Sequence, residues 1–449
     1  MRAEIPVAVP AAPGRIPVLG HLIPMTRRPV EFIREMSALR GLVKIRLGTE
    51  EVYLVTDPAL VHEILVPQGA ACEKGRLFDN LRTLLGNGLV TSSEPLHMHQ
   101  RRISQHAFKP AALSSYVPGI GENARRATES WRPGQRVELV DVLDQFTLKT
   151  VMNTIFSAEL NPRGAEEVTR LLPTVLQSVA ANTFVPRFWT RLPTSRNRRF
   201  RELSGRIRSV IDEIIASYRL SEPDPEHSGL LSTILTTRDP EDGEGMSDIQ
   251  ARDELITFMI TGFVTATSTL AALFYQLNRH PNVEGRLHHE LEDALGGRQV
   301  SEEDFPHLTY TRNVITETLR LHAPTWFLMR RTTDEMRLGG IDIPVGTELL
   351  FAPPALHRDP AVYPDPSAFD PDRWVDRPPH SLPKGAFVPF GNGRRMCIAA
   401  SFAQTVMLVF VATACARWRL VEDPLIDRSP LYKGAISRFP ELPVTVMAR

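Results

Sequence analysis

A glycine-rich run, Phe390-Gly391-Asn392-Gly393-Arg394-Arg395-Met396-Cys397, ends in one cysteine and leads into an apolar, helix-forming stretch from Ile398 to Ala416. That order of residue types suits a thiolate that ligates iron. Such a ligand must hold its negative charge, which takes N–H donors and cationic groups close to the sulfur. Gly391 and Gly393 leave backbone amides uncovered by side chains, and the amides that open the following helix would face the sulfur as helix N-termini face anions. Arg395 adds a cation. The chemistry this suits is that of a haem-thiolate centre. Taken alone, Cys397 would read as a buried structural cysteine, because free cysteines are mostly buried and inert, so the assignment rests on its company.

Three further segments supply that company. In Thr316-Glu317-Thr318-Leu319-Arg320 the i, i+3 spacing puts Glu317 and Arg320 on one helix face, within reach of charge-assisted hydrogen bonds. Alone, such a pair is usually solvated. In His97-Met98-His99-Gln100-Arg101 the i, i+4 spacing aims His97 and Arg101 the same way. With Phe369-Asp370-Pro371-Asp372-Arg373-Trp374, these segments resemble, in order, the motifs of the cytochrome P-450 family, and the cysteine loop is similar to its F-x-x-G-x-R-x-C signature. The resemblance implies haem b as cofactor, with Cys397 as axial iron ligand and Phe390, Gly391, Gly393 and Ala399 shaping the loop; Ala399 stands where glycine is usual. It further implies that His97, Arg101, Arg330 and Arg395 reach the haem propionates, with Arg331 able to exchange with Arg330, and that Glu317, Arg320 and Arg373 form a buried network behind the loop. Pro13 to His21, Gly339 to Gly346 and His357-Arg358-Asp359-Pro360 resemble further family segments, so the likeness covers nearly the whole chain.

Leu255 to Tyr275 carries no charge over 21 residues, enough to span a bilayer. Thr257, Thr261, Thr265, Thr267, Ser268, Thr269 and Gly262 interrupt it, and it reads instead as a long central helix, apolar all round because it is buried all round. The family motif A/G-G-x-D/E-T, which supplies an acid and an alcohol above the iron, aligns here with Thr261-Gly262-Phe263-Val264-Thr265. Gly262 and Thr265 fit. Val264 replaces the acid, which leaves the proton source open between a water chain and a hydroxyl of the substrate.

Phe78, Phe258, Phe263, Val264, Trp326, Phe327 and Ile436 match pocket-lining positions of the family, with no charge among them. An apolar pocket holds its ligand mainly by area burial, at about 25 cal/mol per Å². Leu84 to Phe108 and Thr309 to Arg331, with Ala323-Pro324-Thr325-Trp326-Phe327, look most like actinobacterial terpene oxidases. That likeness implies monooxygenation of a bulky cyclic sesquiterpene in secondary metabolism, in one oxidation or several at one carbon. A haem-thiolate isomerase, dehydratase or peroxygenase is the enzymatic alternative, favoured by Val264; a haem sensor or electron carrier is the non-enzymatic one, against which the central helix with Thr265 and the apolar cavity argue, since an electron carrier would have no use for such a cavity. No adjacent aspartate pair exists for a terpene cyclase. His97, His99 and His106 make a poor zinc site, since i, i+2 histidines on a helix do not converge.

The elements that must position these groups are mainly helical with a small β region, an α+β chain of the cytochrome P-450 fold with haem between the central helix and the cysteine loop. Residues 1–449 are expected to form one domain, with a β-rich lobe from about 36–70 and 325–390 and helices in the remainder. Val43 to Val55 alternates around Gly48-Thr49-Glu50 as a hairpin does, and Met336 to Phe351 reads as two short strands flanking Pro344-Val345-Gly346. The 52 basic and 52 acidic residues cancel, which gives no reason to expect nucleic-acid binding; Arg196, Arg198, Arg199 and Arg201 read as a solvated helix face. Cys72, Cys397 and Cys415 are too few for a disulfide framework and suit a reducing cytoplasm. The first thirty residues hold six prolines and no apolar core, so neither a signal peptide nor a transmembrane anchor is expected. With no flavin or ferredoxin module in the sequence, electrons are expected from a separate ferredoxin and an NAD(P)H-dependent ferredoxin reductase. The protein is expected to be a monomer.

Overall fold

The computed structural model describes residues 9–156, 162–183, 192–220, 229–422 and 430–449. Its axis is the helix Asp248–Arg279. Ser247 and Gln250 form a capping box at its start: each side chain accepts the other's backbone N–H. The helix stops at His280, whose non-helical backbone precedes Pro281. It packs against the helices Leu139–Phe156, Thr309–Leu321 and Ala400–Cys415. Phe146, Phe274 and Phe410 meet in that core, the first and last with ring centroids 4.5 Å apart. Its hydroxyl groups are absorbed by bonding: Thr267 and Thr147 share a buried hydrogen bond of 2.7 Å, and Ser268 donates to the Ser437 carbonyl. Among the described residues this is the one helix long and apolar enough to cross a membrane, and 78% of its apolar window is buried inside the protein.

A five-stranded sheet covers one side. Its strands run in the order Leu42–Leu47, Glu50–Val55, Glu348–Phe351, Leu328–Thr332, Cys72–Lys74. The first two pair as the expected hairpin, and Glu348–Phe351 joins the second in parallel. Met336 to Phe351 departs from expectation by holding three strands rather than two. Met336–Leu338 and Ile341–Ile343 form a hairpin turning at Gly339-Gly340, both at positive φ, and Glu348–Phe351 leaves it for the larger sheet. Consecutive glycines supply the left-handed turn that links short antiparallel strands, whereas Pro344 and Gly346 only redirect the chain.

The sheet Arg136–Glu138, Pro443–Ala448, Trp418–Glu422 and the hairpin Leu431–Lys433 with Ile436–Arg438 fall outside the two stretches expected to hold the strands. Several are three residues long, too short to show alternation. Arg196, Arg198, Arg199 and Arg201 are all exposed at the start of the helix Ser195–Leu220.

Candidate haem-thiolate site

The cysteine loop is closed by its own backbone. The Cys397 N–H donates to the Phe390 carbonyl at 2.8 Å, and Asn392 Oδ1 accepts the Gly393 N–H at 2.8 Å. Gly393 is at φ +67° and lies so close to the Leu65 carbonyl oxygen that a Cβ would collide with it. The following helix starts at Ala400, two residues later than the apolar run suggested. Ala399 therefore precedes it, and its N–H donates to the Cys397 sulfur. Alanine in place of glycine keeps that donor. Cys397 is enclosed by protein except where it opens onto an internal cavity. Burial pushes the thiol up, while the Ala399 N–H, Arg101 and Lys74 pull it down.

Behind the loop, Glu317 and Arg320 have no exposed side-chain area. Arg320 donates to Glu317 at 2.9 and 2.7 Å and to the carbonyls of His357, Pro366 and Ala368 at 2.7–2.9 Å. Glu317 also accepts from the Asp370 N–H at 3.0 Å, Arg373 Nε at 3.4 Å and Trp374 Nε1 at 2.9 Å. Trp374 is a member that the spacing argument missed. His357 extends the tie to the cysteine segment, since its Nε2 accepts the Val388 N–H at 2.9 Å.

The cavity, about 1260 Å³, exceeds the roughly 300–1,000 Å³ of an ordinary small-molecule pocket, leaving room for a cofactor and a substrate together. Basic side chains cluster in its lining. Lys74, His97, Arg101, Arg330 and Arg395 all belong to it and lie near enough to perturb one another. Arg395 donates through Nη1 to the Ser92 carbonyl at 2.9 Å, but its buried Nε and Nη2 have no hydrogen-bond partner among the described residues; Glu94 is 3.9 Å from Nη2. Leaving such donors buried and unpaired costs about 1–3 kcal/mol, and more for charged groups. A ligand bearing two carboxylates answers that need, which is what the haem propionates provide.

Arg101 donates to the Met396 carbonyl at 2.7 Å, holding the histidine–arginine helix against the loop. His97, pushed down to about 2 by burial and the surrounding cations, is neutral. Arg330 faces the cavity, whereas Arg331 turns away to Glu73 and Asp79. Lys74 was missed by sequence reasoning. It stands opposite Arg330 in the strand register, and burial, then Arg330 and Arg395, hold it well below the ordinary lysine range.

Across the cavity lie Gly262, Val264 and Thr265 of the central helix. The Thr265 hydroxyl donates to the Thr261 carbonyl at 2.8 Å, which leaves its oxygen free to accept. Phe78, Phe258, Phe327 and Ile436 also face the cavity. Phe263 and Trp326 do not, contrary to expectation. Phe263 packs into the core on another face of the helix, and Trp326 is fully buried beside Phe327 with its Nε1 bonded to the Gly434 carbonyl at 2.8 Å. The same cavity is also lined by Asp141, Asp144 and Arg438, the last two in contact.

The fold and this site define a haem-thiolate protein. The profile of the family described as Cytochrome P450 matches residues 10–444, and the chain belongs to that family. It is 38% identical to a cyclooctat-9-en-7-ol 5-monooxygenase from Streptomyces melanosporofaciens over 94% of this chain and 91% of that protein. It is 34% identical to pentalenene oxygenase from Streptomyces avermitilis, over 98% and 97%. The crystal structure of the cytochrome P450DA heme domain superposes with a TM-score of 0.88 at 25% identity, covering 99% of each chain. The chain is thus a cytochrome P450 monooxygenase whose cofactor is haem b. Cys397 is the residue that would hold the haem, which would supply the binding and reductive activation of dioxygen.

Proposed function

We propose that this enzyme hydroxylates a bulky cyclic sesquiterpene, with further oxidation of the same carbon available to it. The observation that carries this reading is the lining of the cavity: Phe78, Phe258, Phe327 and Ile436 offer apolar surface in the same cavity as Thr265 and Cys397, whose sulfur has Arg101 and Lys74 nearby, and Asp141, Asp144 and Arg438 are its other charged members. Such a wall holds a hydrocarbon by area burial and orients it by shape. Terpenoid relatives, pentalenene oxygenase among them, support the substrate class. In this reading Thr265 holds a proton or a water for the oxygen being reduced, Gly262 keeps the helix face low, and Val264 contributes shape. His97, Arg101, Lys74, Arg330 and Arg395 hold the propionates. Electrons come from a separate ferredoxin and its NAD(P)H-dependent reductase, and the chain works as a single domain, a monomer in the cytoplasm.

Val264 favours a second reading, in which a haem-thiolate isomerase, dehydratase or peroxygenase needs no protons coupled to dioxygen. Turnover with ferredoxin, reductase and NADPH across a panel of cyclic terpenes under labelled dioxygen separates the two. Label in the product supports the monooxygenase on that substrate. Conversion without label, or conversion by peroxide alone, sinks it.

A further inference from the structure

The central helix carries one buried acid that no role above uses. Glu254 lies about three turns N-terminal to Thr265, and at about 100° per residue the two share a face with Phe258 and Thr261. It is fully buried. One carboxyl oxygen, Oε2, accepts the Leu89 N–H at 3.0 Å, while Oε1 has no hydrogen-bond partner among the described residues. Leu89 is part of the cavity wall, as are Thr257, Thr261 and Thr265.

The loop over Glu254 is pinned to the helix. The Asn87 N–H donates to Asp253 Oδ2 at 2.8 Å, and Gly88 lies so close to Thr257 Oγ1 that any Cβ would collide. Gln100 Nε2 reaches the Asn87 carbonyl at 2.6 Å, and the Gln100 side-chain oxygen is also buried without a partner. A carboxylate can only accept, whereas a carboxylic acid can also donate, directly or through an ordered water. Burial raises the Glu254 carboxyl to about 8; the Leu89 N–H opposes that shift and Asp253 adds to it. It therefore holds its proton at neutral pH.

We propose that Glu254 is the proton reservoir for Thr265, connected to it through Thr257, Thr261 and ordered water along one side of the central helix, and that it takes over the task of the acid absent at Val264. The threonine hydroxyls are spaced four residues apart, about 6 Å along the axis, a gap that one bridging water closes. The Glu254 O–H breaks as the neighbouring oxygen takes its proton. Each threonine takes a proton at its oxygen and gives up its own hydroxyl proton, which otherwise rests on the carbonyl four residues back, to the next water, so that the proton reaches Thr265; solvent reprotonates the carboxylate. No electron moves along this path, since the reductant is that of the monooxygenase reaction. Glu254 acts through Thr265 and so rests on the proton-handling role proposed for that residue.

The test uses Glu254→Gln, which keeps an oxygen for the Leu89 N–H, beside Thr265→Ala and the double variant, all haem-loaded. The infrared difference between wild type and Glu254→Gln at pH 7 is expected to show the carbonyl stretch of a protonated acid, shifting in heavy water. With haem content and substrate affinity unchanged, product formed per NADPH should fall at least roughly tenfold, below the 10²–10⁴-fold of a general acid in direct contact because water leaks some protons. The double variant should be no worse than the poorer single one. Absence of the acid band overturns the proposal. So does wild-type coupling in Glu254→Gln; if Thr265→Ala has nevertheless lost coupling, Glu254 alone is dismissed, and if it too is coupled, the Thr265 role falls as well. Should Glu254→Gln not fold, Thr261→Val interrupts the same path with the same expected loss and the same overturning result.

Discussion

Replacing Arg320 by alanine should leave little haem-loaded protein, for reasons countable in hydrogen bonds. The guanidinium makes five of them with no exposed area, two to Glu317 and three to carbonyls of the 357–368 segment. Removing one partner of a buried ion pair costs about 3–5 kcal/mol. Glu317 keeps Asp370, Arg373 and Trp374, which favours the lower figure. The three stranded carbonyls each add on the order of 1 kcal/mol unless water reaches them. A loss of at least about 4 kcal/mol is a large share of the 5–15 kcal/mol that ordinarily separates folded from unfolded protein. The assay is the urea midpoint of purified holoprotein together with haem per chain. Arg320→Lys is the control, since an ammonium keeps the charge but cannot span a carboxylate and three carbonyls; it should recover only a minor part of the loss. A midpoint for Arg320→Ala equivalent to within about 1 kcal/mol of wild type, with full haem, would refute the claim that this network locks the cysteine segment, because that is the size of an exposed ion pair.

Three other outcomes are expected. Cys397→His should lose the red-shifted Soret band of the reduced carbon-monoxide complex while retaining some haem, and a retained band would exclude Cys397 as the ligand. Lys74→Met removes an amine that, in the proposed arrangement, donates to a propionate, so haem should dissociate about tenfold faster, the equivalent of 1.4 kcal/mol; an unchanged rate of haem transfer to apomyoglobin would dismiss Lys74 from the site. Glu254 is raised from 4.5 to about 8, so the native state binds more protons than the unfolded one between those values and loses stability as pH rises through them. Relative to wild type, Glu254→Gln should therefore gain up to about 1.4 kcal/mol per pH unit between pH 5 and 8, and a stability difference that does not move with pH would show that the carboxyl is not buried.

What the sequence made legible is local or carried by family motifs. The cysteine loop and the Glu317–Arg320 pair are short-range patterns, so their geometry follows from backbone spacing alone, and the central helix announces itself by length and apolarity. One misplacement was avoidable. Helical spacing of about 100° per residue puts Phe263 nearly opposite Thr265, so both could not face one cavity. Trp326 was not, since adjacent Phe327 and Leu328 both line the cavity while Trp326 is turned into the protein by its bond to the distant Gly434 carbonyl. Lys74 was not avoidable in this sense, because only the pairing of Cys72–Lys74 with Leu328–Thr332 places it beside Arg330, and a three-residue strand does not advertise its register.

Glu254 shows why a charge is an unsafe boundary marker. Its carboxyl ends the uncharged run just before Leu255, where a hydropathy reading puts the edge of the buried segment. The helix begins at Asp248, and the Gly86–Leu89 loop, folded back from far away in the chain, covers the next turn. Its Leu89 N–H meets one carboxyl oxygen, and the missing Cβ of Gly88 lets the backbone settle onto Thr257. Nothing local distinguishes this acid from the exposed Asp248 in the same helix. The difference lies in long-range contact: a loop that removes water from one carboxyl raises its proton affinity, and the same proximity sets that proton on the helix face leading to Thr265.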